Sequence, residues 1–166
     1  MQLGKLNVFE HEMVRLKVHV CGIAEVRWKG QGHFTTAEGH TVIYSDEEQQ
    51  GHRGVAVWLE KKTACSVLGY EPVNGRIVKV RLHAKPANIT LIQVYAPTSA
   101  ATDEESNEFY EDLDNTLKTV PKHDVIVQMG DFNAKVGKPM QGQVVGEFGL
   151  GERNEAGERL VEMCEE

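Results

Sequence analysis

The chain has 166 residues, 40% of them hydrophobic and 26% charged, with only 5 prolines and 16 glycines. That fits one domain with a real core, is small for a four-layer enzyme, and excludes a long disordered or low-complexity stretch. The net charge of -7 is unevenly spread: residues 1–100 carry 12 Lys+Arg against 9 Asp+Glu, and residues 101–166 carry 6 against 16. A mildly basic front half could face a phosphate backbone, but two solvated surfaces of differing sign fit equally well, so charge does not decide on nucleic acid.

Cys21, Cys65 and Cys164 have no CxxC spacing and suggest neither a disulfide framework nor a zinc site, which points to an intracellular setting. The opening Met1-Gln2-Leu3-Gly4-Lys5 is too polar for a secretory signal, and no apolar run approaches a membrane span.

In chain order, Leu6, Phe9, Met13 and Leu16 recur at helical steps and predict an amphipathic helix over residues 5–17. Val18 to Ala24 is β-branched-rich and nearly all apolar, as in a strand buried on both faces, and Glu25 follows it directly. Polar, glycine-rich sequence through Gly32 precedes a short strand at Thr41–Tyr44. From residue 53 to 97 the pattern is β: Gly54–Leu59, Ala64–Tyr70, Arg76–Leu82 and Ile89–Tyr95, with turns at Asn74-Gly75 and Lys85–Asn88. Thr102 and Glu105 form a capping box for a helix that buries Phe109, Leu113 and Leu117 and is stopped by Pro121. Asp124–Met129 reads as a further buried strand closing in Gly130-Asp131, and Glu155–Glu166 as a last helix. Successive strands with helices crossing between them predict a mixed sheet with helices on its outer face.

Glu25, Tyr95 and the Asp131/Asn133 pair each sit where an apolar strand stops, the place where layered sheets commonly gather their sites. A hard cation such as Mg²⁺ takes one or two carboxylates and fills its remaining positions with water or phosphate oxygens. Glu25 and Asp131 supply those carboxylates if their strands are neighbours, and Asn133 adds a neutral amide. Singly, each has a plainer reading: a solvated carboxylate, a packed phenol, and a Gly-Asp turn held by an Asn.

Ile23-Ala24-Glu25-Val26-Arg27-Trp28, Val94-Tyr95-Ala96-Pro97 and Gly130-Asp131-Phe132-Asn133-Ala134 stand in the order of the endonuclease/exonuclease/phosphatase superfamily, which the chain resembles over essentially its whole length. The wording of Glu25–Gly30 and Gly151–Glu155 looks most like the endonucleases of RTE-type non-LTR retrotransposons and the cellular proteins that carry the same kind of domain. The resemblance implies an α/β sandwich of the DNase I-like type, with a mixed, mostly antiparallel sheet and outer helices. Residues 1–166 would form one partial domain, incomplete at both ends. It further implies that Glu25 and Asp131 hold Mg²⁺, or Mn²⁺ in its place. Tyr95 would contact the scissile phosphate, Asp131 would position or deprotonate the attacking water, and Asn133 would orient the phosphate. Arg27 and Asn154 would be further contacts to phosphate or DNA. The implied activity is metal-dependent hydrolysis of DNA, with a nuclear location inferred from that substrate alone.

Two parts of the family pattern are missing. The strand that opens the family fold with a metal-site Asn has no counterpart, since Asn7 falls inside the helical pattern, and no Ser-Asp-His tripeptide occurs. Ser45-Asp46 runs into Glu47, and His123-Asp124 precedes a strand instead of ending one. The expectation is therefore a chain with little or no activity, whose second sheet is largely missing and whose uncovered sheet face is open to self-association or another protein. The alternatives are a non-catalytic remnant or partner-binding module and, further off, a phosphoinositide-type phosphatase.

Overall fold

The computed structural model describes residues 3–47, 53–138 and 142–165. In chain order these form α1 (Leu3–Arg15), β1 (Val20–Val26), β2 (Gln31–Thr35), β3 (Thr41–Ser45), β4 (Gly54–Leu59), α2 (Lys61–Ala64), β5 (Val67–Asn74), β6 (Ile77–Leu82), β7 (Ile89–Tyr95), α3 (Asp103–Lys118), β8 (Val125–Asp131) and α4 (Glu155–Glu165). Glu166, included in the expected last helix, lies outside the described residues.

The strands make two four-stranded sheets, β1-β4-β3-β2 and β5-β6-β7-β8. All pairings are antiparallel except β7 with β8, whose parallel alignment needs the long crossover that α3 supplies. The second sheet, expected to be largely missing, is present and packs face to face on the first. Ile43, Val55, Val57 and Leu59 from one sheet meet Val78, Val80, Leu82 and Leu91 from the other. Phe9 and Met13 of α1 cover the outer side of the first sheet over Val42 and Trp58. Phe109 and Leu113 of α3 cover the outer side of the second over Ile77, Ile92 and Val94. The order is helix, sheet, sheet, helix.

Thr102 caps α3 through its hydroxyl, which accepts from the Glu105 amide at 3.2 Å, while the Glu105 carboxylate pairs with Arg53 instead of reaching back. Leu16, read as part of the buried helical stripe, lies past the end of α1 and is exposed. The edge strand β2, whose Gln-Gly-His-Phe-Thr sequence lacks an apolar run, adds to the strands predicted from pattern; Phe34 holds it down against Trp28 and Tyr44. Ala64 belongs to the short α2, so the following strand begins only at Val67.

The strands at Val18–Ala24 and Asp124–Met129 are not buried on both faces. Each is the outermost strand of its sheet, and Val125, Ile126 and Val127 are 53%, 44% and 39% exposed. Central β4, by contrast, is buried at every residue.

The start of β8 is tied down by Asp124. Its carboxylate accepts from Arg81 Nε at 2.7 Å, Arg81 Nη2 at 2.9 Å and Thr90 Oγ1 at 2.8 Å. Those bonds, the Arg81 ones foremost, hold its pKa below the ordinary carboxylate range. A carboxylate whose folded-state pKa lies below its unfolded one adds stability that is full above the unfolded value and lost as pH falls through the folded value. In urea unfolding between about pH 7 and about pH 3, Asp124→Asn is expected to lower the midpoint at neutral pH and to flatten its fall in acid. An unchanged profile would show that the tie contributes nothing to stability.

Candidate active site

Three of the residues singled out in the sequence meet at one end of the sandwich. Tyr95 closes β7, and Asp131 is its in-register partner on β8. Glu25 comes across from β1, where its Oε1 accepts the Tyr95 hydroxyl at 3.0 Å. The two carboxylates were expected on neighbouring strands of one sheet. β1 and β8 instead belong to different sheets, so the site bridges the gap between them.

Glu25 reaches that gap because of a bulge. Pairing with β4 passes from Ala24↔Val55 to Val26↔Gly54, leaving Glu25 unpaired at φ 57°. Before the bulge, Val20 and Ala24 lie in the inter-sheet core; after it, Val26 packs on the outer side with Trp58. One extra residue thus switches the facing of the strand and frees a carboxylate at its end. A non-glycine residue in this region costs about 1–3 kcal/mol, and such strain clusters at functional positions. Asn133, at φ 48°, shares it.

Asn133 locks the end of β8 to the end of β7. Its backbone N–H donates to Asp131 Oδ1 at 2.9 Å, and its Nδ2 donates to the Ala96 carbonyl at 2.8 Å. One of the two amide protons is used there, and the second has no partner among the described residues. Tyr95 is nearly buried; burial first, then the bond to Glu25 and the charges of Glu25 and Asp131, push its pKa up. Its hydroxyl therefore stays a proton donor at neutral pH.

Arg76 was not foreseen. It donates from Nη1 to the Tyr95 carbonyl at 3.1 Å, and its guanidinium lies 5.8 Å from the centre of the Tyr95 ring. Burial and the nearby charge of Arg53 push its pKa down. In sequence it is only an arginine after an Asn-Gly turn, with nothing to mark it.

Arg27 stands exposed two residues past Glu25. Asn154 caps α4, its Oδ1 accepting from the Gly157 and Lys135 amides, both at 2.9 Å. It also lines a cleft of about 410 Å³ with Ala96, Pro97, Phe132 and Arg159, beside the Tyr95 and Asp131 strand ends. The Ser45-Asp46 and His123-Asp124 pairs serve the framework: Ser45 Oγ donates to the Asn74 carbonyl at 2.6 Å, and Asp124 holds Arg81.

Among the described residues, no group of three or more His, Cys, Asp or Glu side chains is placed to hold a metal ion. The two carboxylates beside Tyr95 are oxygen donors of the kind a hard cation takes while keeping most of its water. Glu25 and Asp131 are two exposed carboxylates, each with one oxygen engaged by a neutral donor.

No family model matches the chain. Craniofacial development protein 2 of Bos taurus is 42% identical over 164 residues, 99% of this chain and 28% of that protein. The Tragulus javanicus protein of the same name is 40% identical over the same length. The chain thus spans under a third of these relatives. Among solved structures, the endonuclease domain of TRAS1, a telomere-specific non-LTR retrotransposon, superposes with a TM-score of 0.59 at 19% identity, covering 94% of this chain and 61% of that one. An endonuclease/exonuclease/phosphatase family protein from Leptotrichia buccalis C-1013-b gives 0.60 at 14% identity, covering 98% and 67%. The fold is that of the endonuclease/exonuclease/phosphatase proteins. In sequence the chain is similar to part of craniofacial development protein 2 over nearly its whole length. No described helix is long and apolar enough to cross a membrane.

Proposed function

We propose that this chain carries the site of a divalent-metal-dependent DNA endonuclease of retrotransposon origin, with low activity in these 166 residues. The observation that carries the reading is the meeting of Glu25, Tyr95 and Asp131 from two sheets, at the end where two non-glycine residues hold left-handed backbone. Glu25 and Asp131 would hold Mg²⁺, or Mn²⁺ in its place. When bound, the ion neutralises charge on the phosphate and polarises it toward attack.

The remaining chemistry belongs to the chain. Asp131 orients a water molecule and accepts its proton, its turn fixed by the Asn133 amide. Tyr95 would turn its one hydroxyl proton from Glu25 to a phosphate oxygen, and the second amide proton of Asn133 would reach the same phosphate. Arg27 and Asn154 flank this site as contacts to the DNA backbone. The low activity is proposed because these 166 residues hold no Ser-Asp-His tripeptide. A nuclear setting goes with a DNA substrate.

The test is nicking of supercoiled plasmid in Mg²⁺ against EDTA, with an Asp131→Ala sample prepared alongside to exclude a contaminating nuclease. Nicking present in Mg²⁺, abolished in EDTA and absent from the variant is the expected result. A folded sample that never nicks overturns it and leaves a second reading, a non-catalytic partner-binding module. That reading draws on the exposed Val125, Ile126 and Val127 of β8, an apolar strand with one side unpaired.

A further inference from the structure

Tyr95 is gripped from behind by one residue of the turn between β5 and β6. The Arg76 carbonyl accepts the Tyr95 N–H at 2.9 Å, and Arg76 Nη1 donates back to the Tyr95 carbonyl at 3.1 Å. The same guanidinium lies 5.8 Å from the centre of the Tyr95 ring, inside the roughly 6 Å at which an aromatic face attracts a cation. A single residue thus engages the N–H, the carbonyl and the ring of Tyr95.

The turn that presents Arg76 is itself tied to three other elements. Asn74, the last residue of β5, accepts the Arg76 N–H on Oδ1 at 2.8 Å, an Asn closing a turn two residues on. Its Nδ2 donates to Asp112 Oδ2 of α3 at 2.7 Å, and its carbonyl accepts from Ser45 Oγ of β3 at 2.6 Å. Gly75 completes the turn where Glu47 leaves little space: an added Cβ would lie 2.8 Å from Glu47 Cγ and 3.1 Å from the Glu47 backbone nitrogen. A helix and strands of both sheets therefore hold the turn, and the turn holds Tyr95.

The hydroxyl stands at the far end of the ring, 3.0 Å from Glu25 Oε1 of the other sheet. A small tilt at the Tyr95 backbone moves that tip furthest, and misplacing a reacting group by about 1 Å can cost up to a hundredfold in rate. We propose that Arg76 is a positioning residue for Tyr95: held by the Asn74 turn, it clamps the Tyr95 backbone and ring and so sets where the hydroxyl delivers its proton. The clamp stands on the contacts alone; its effect on catalysis rests on the nuclease reading.

The experiment joins two spectroscopic readouts to a double-mutant cycle. Rotation of the Arg76 guanidinium is followed in ¹⁵N spectra of the wild-type chain, and the ¹³Cζ shift of Tyr95 at fixed pH reports the setting of its hydroxyl. Nicking of supercoiled plasmid in Mg²⁺ is measured for wild type, Arg76→Met, Tyr95→Phe and the double variant. Slowed guanidinium rotation is expected in the wild type, and a moved Tyr95 signal in Arg76→Met. That variant should lose about tenfold in kcat with KM unchanged. With Tyr95→Phe there is no hydroxyl left to place, so adding Arg76→Met should change kcat by less than about twofold. A freely rotating guanidinium in the wild type overturns the clamp without any variant having to fold, and so does an unmoved Tyr95 signal in a folded Arg76→Met. A raised KM with kcat unchanged, or equal losses on both backgrounds, overturns the positioning role. A folded wild type that never nicks sinks the nuclease reading and the positioning role with it, while the two spectroscopic readouts still decide the clamp.

Discussion

Asp131→Ala is expected to lower metal-dependent nicking by about a thousandfold or more while leaving the protein folded. The two halves of that result have separate causes. In the proposed mechanism the carboxylate both holds the metal and takes a proton from water, and losing a member of such a unit removes the chemistry instead of trimming it. Structurally the side chain is exposed, and its bond from the Asn133 amide is a turn contact worth about 0.5–1.5 kcal/mol. Asp131→Asn separates the effects further, since it keeps an acceptor for that amide and removes only the charge. It should nick as poorly as Asp131→Ala with an unfolding midpoint close to wild type. Binding of DNA in EDTA should be unchanged or tighter in both variants, because a negative group facing the phosphate has gone. Nicking within a few-fold of wild type in either variant would remove Asp131 from the mechanism.

The parts of this architecture legible in the sequence are those set by local pattern. β7 runs over the residues its apolar stretch predicts, Ile89–Tyr95, because a central strand needs no more than continuous apolar sequence between turn signals. α3 starts at the Thr102 cap for an equally local reason. The division into two sheets could not be read, because which strands pair depends on residues far apart in the chain. Val125, Ile126 and Val127 look like core by composition and lie exposed because β8 has a neighbour on one side only.

The site was legible as a set of strand ends and illegible as a place. Tyr95 and Asp131 become neighbours through the parallel register of β7 and β8, and Glu25 joins them only through a bulge and a crossing between sheets. A bulge leaves no mark in Ile23-Ala24-Glu25-Val26, where apolar residues simply continue past the acid. Gln93 looks like one polar residue tolerated in a strand, and what makes room for its side chain appears only once Gly22 is seen opposite it.

Gly130→Ala is expected to destabilise the fold by roughly 3 kcal/mol or more and to abolish nicking with it. Gly130 sits at φ 142°, where a side chain is strained before any neighbour is considered. A Cβ there would lie 2.0 Å from the Val94 carbonyl oxygen and 2.9 Å from the Val94 carbonyl carbon and amide nitrogen. These are backbone atoms of the central strand to which β8 is zipped, with Val94 the register partner of Gly130, so no rotamer change relieves the clash. Either the last rungs of the β7–β8 ladder open or β8 shifts, and both outcomes move Asp131, the next residue. Gly146→Ala is the contrast, because an added Cβ there meets nothing within 4 Å and the backbone is not left-handed. Its stability should stay within about 0.5 kcal/mol of wild type in urea unfolding. If Gly130→Ala matched it, the close approach of β8 to β7 would not be what holds the Asp131 end of the site in place.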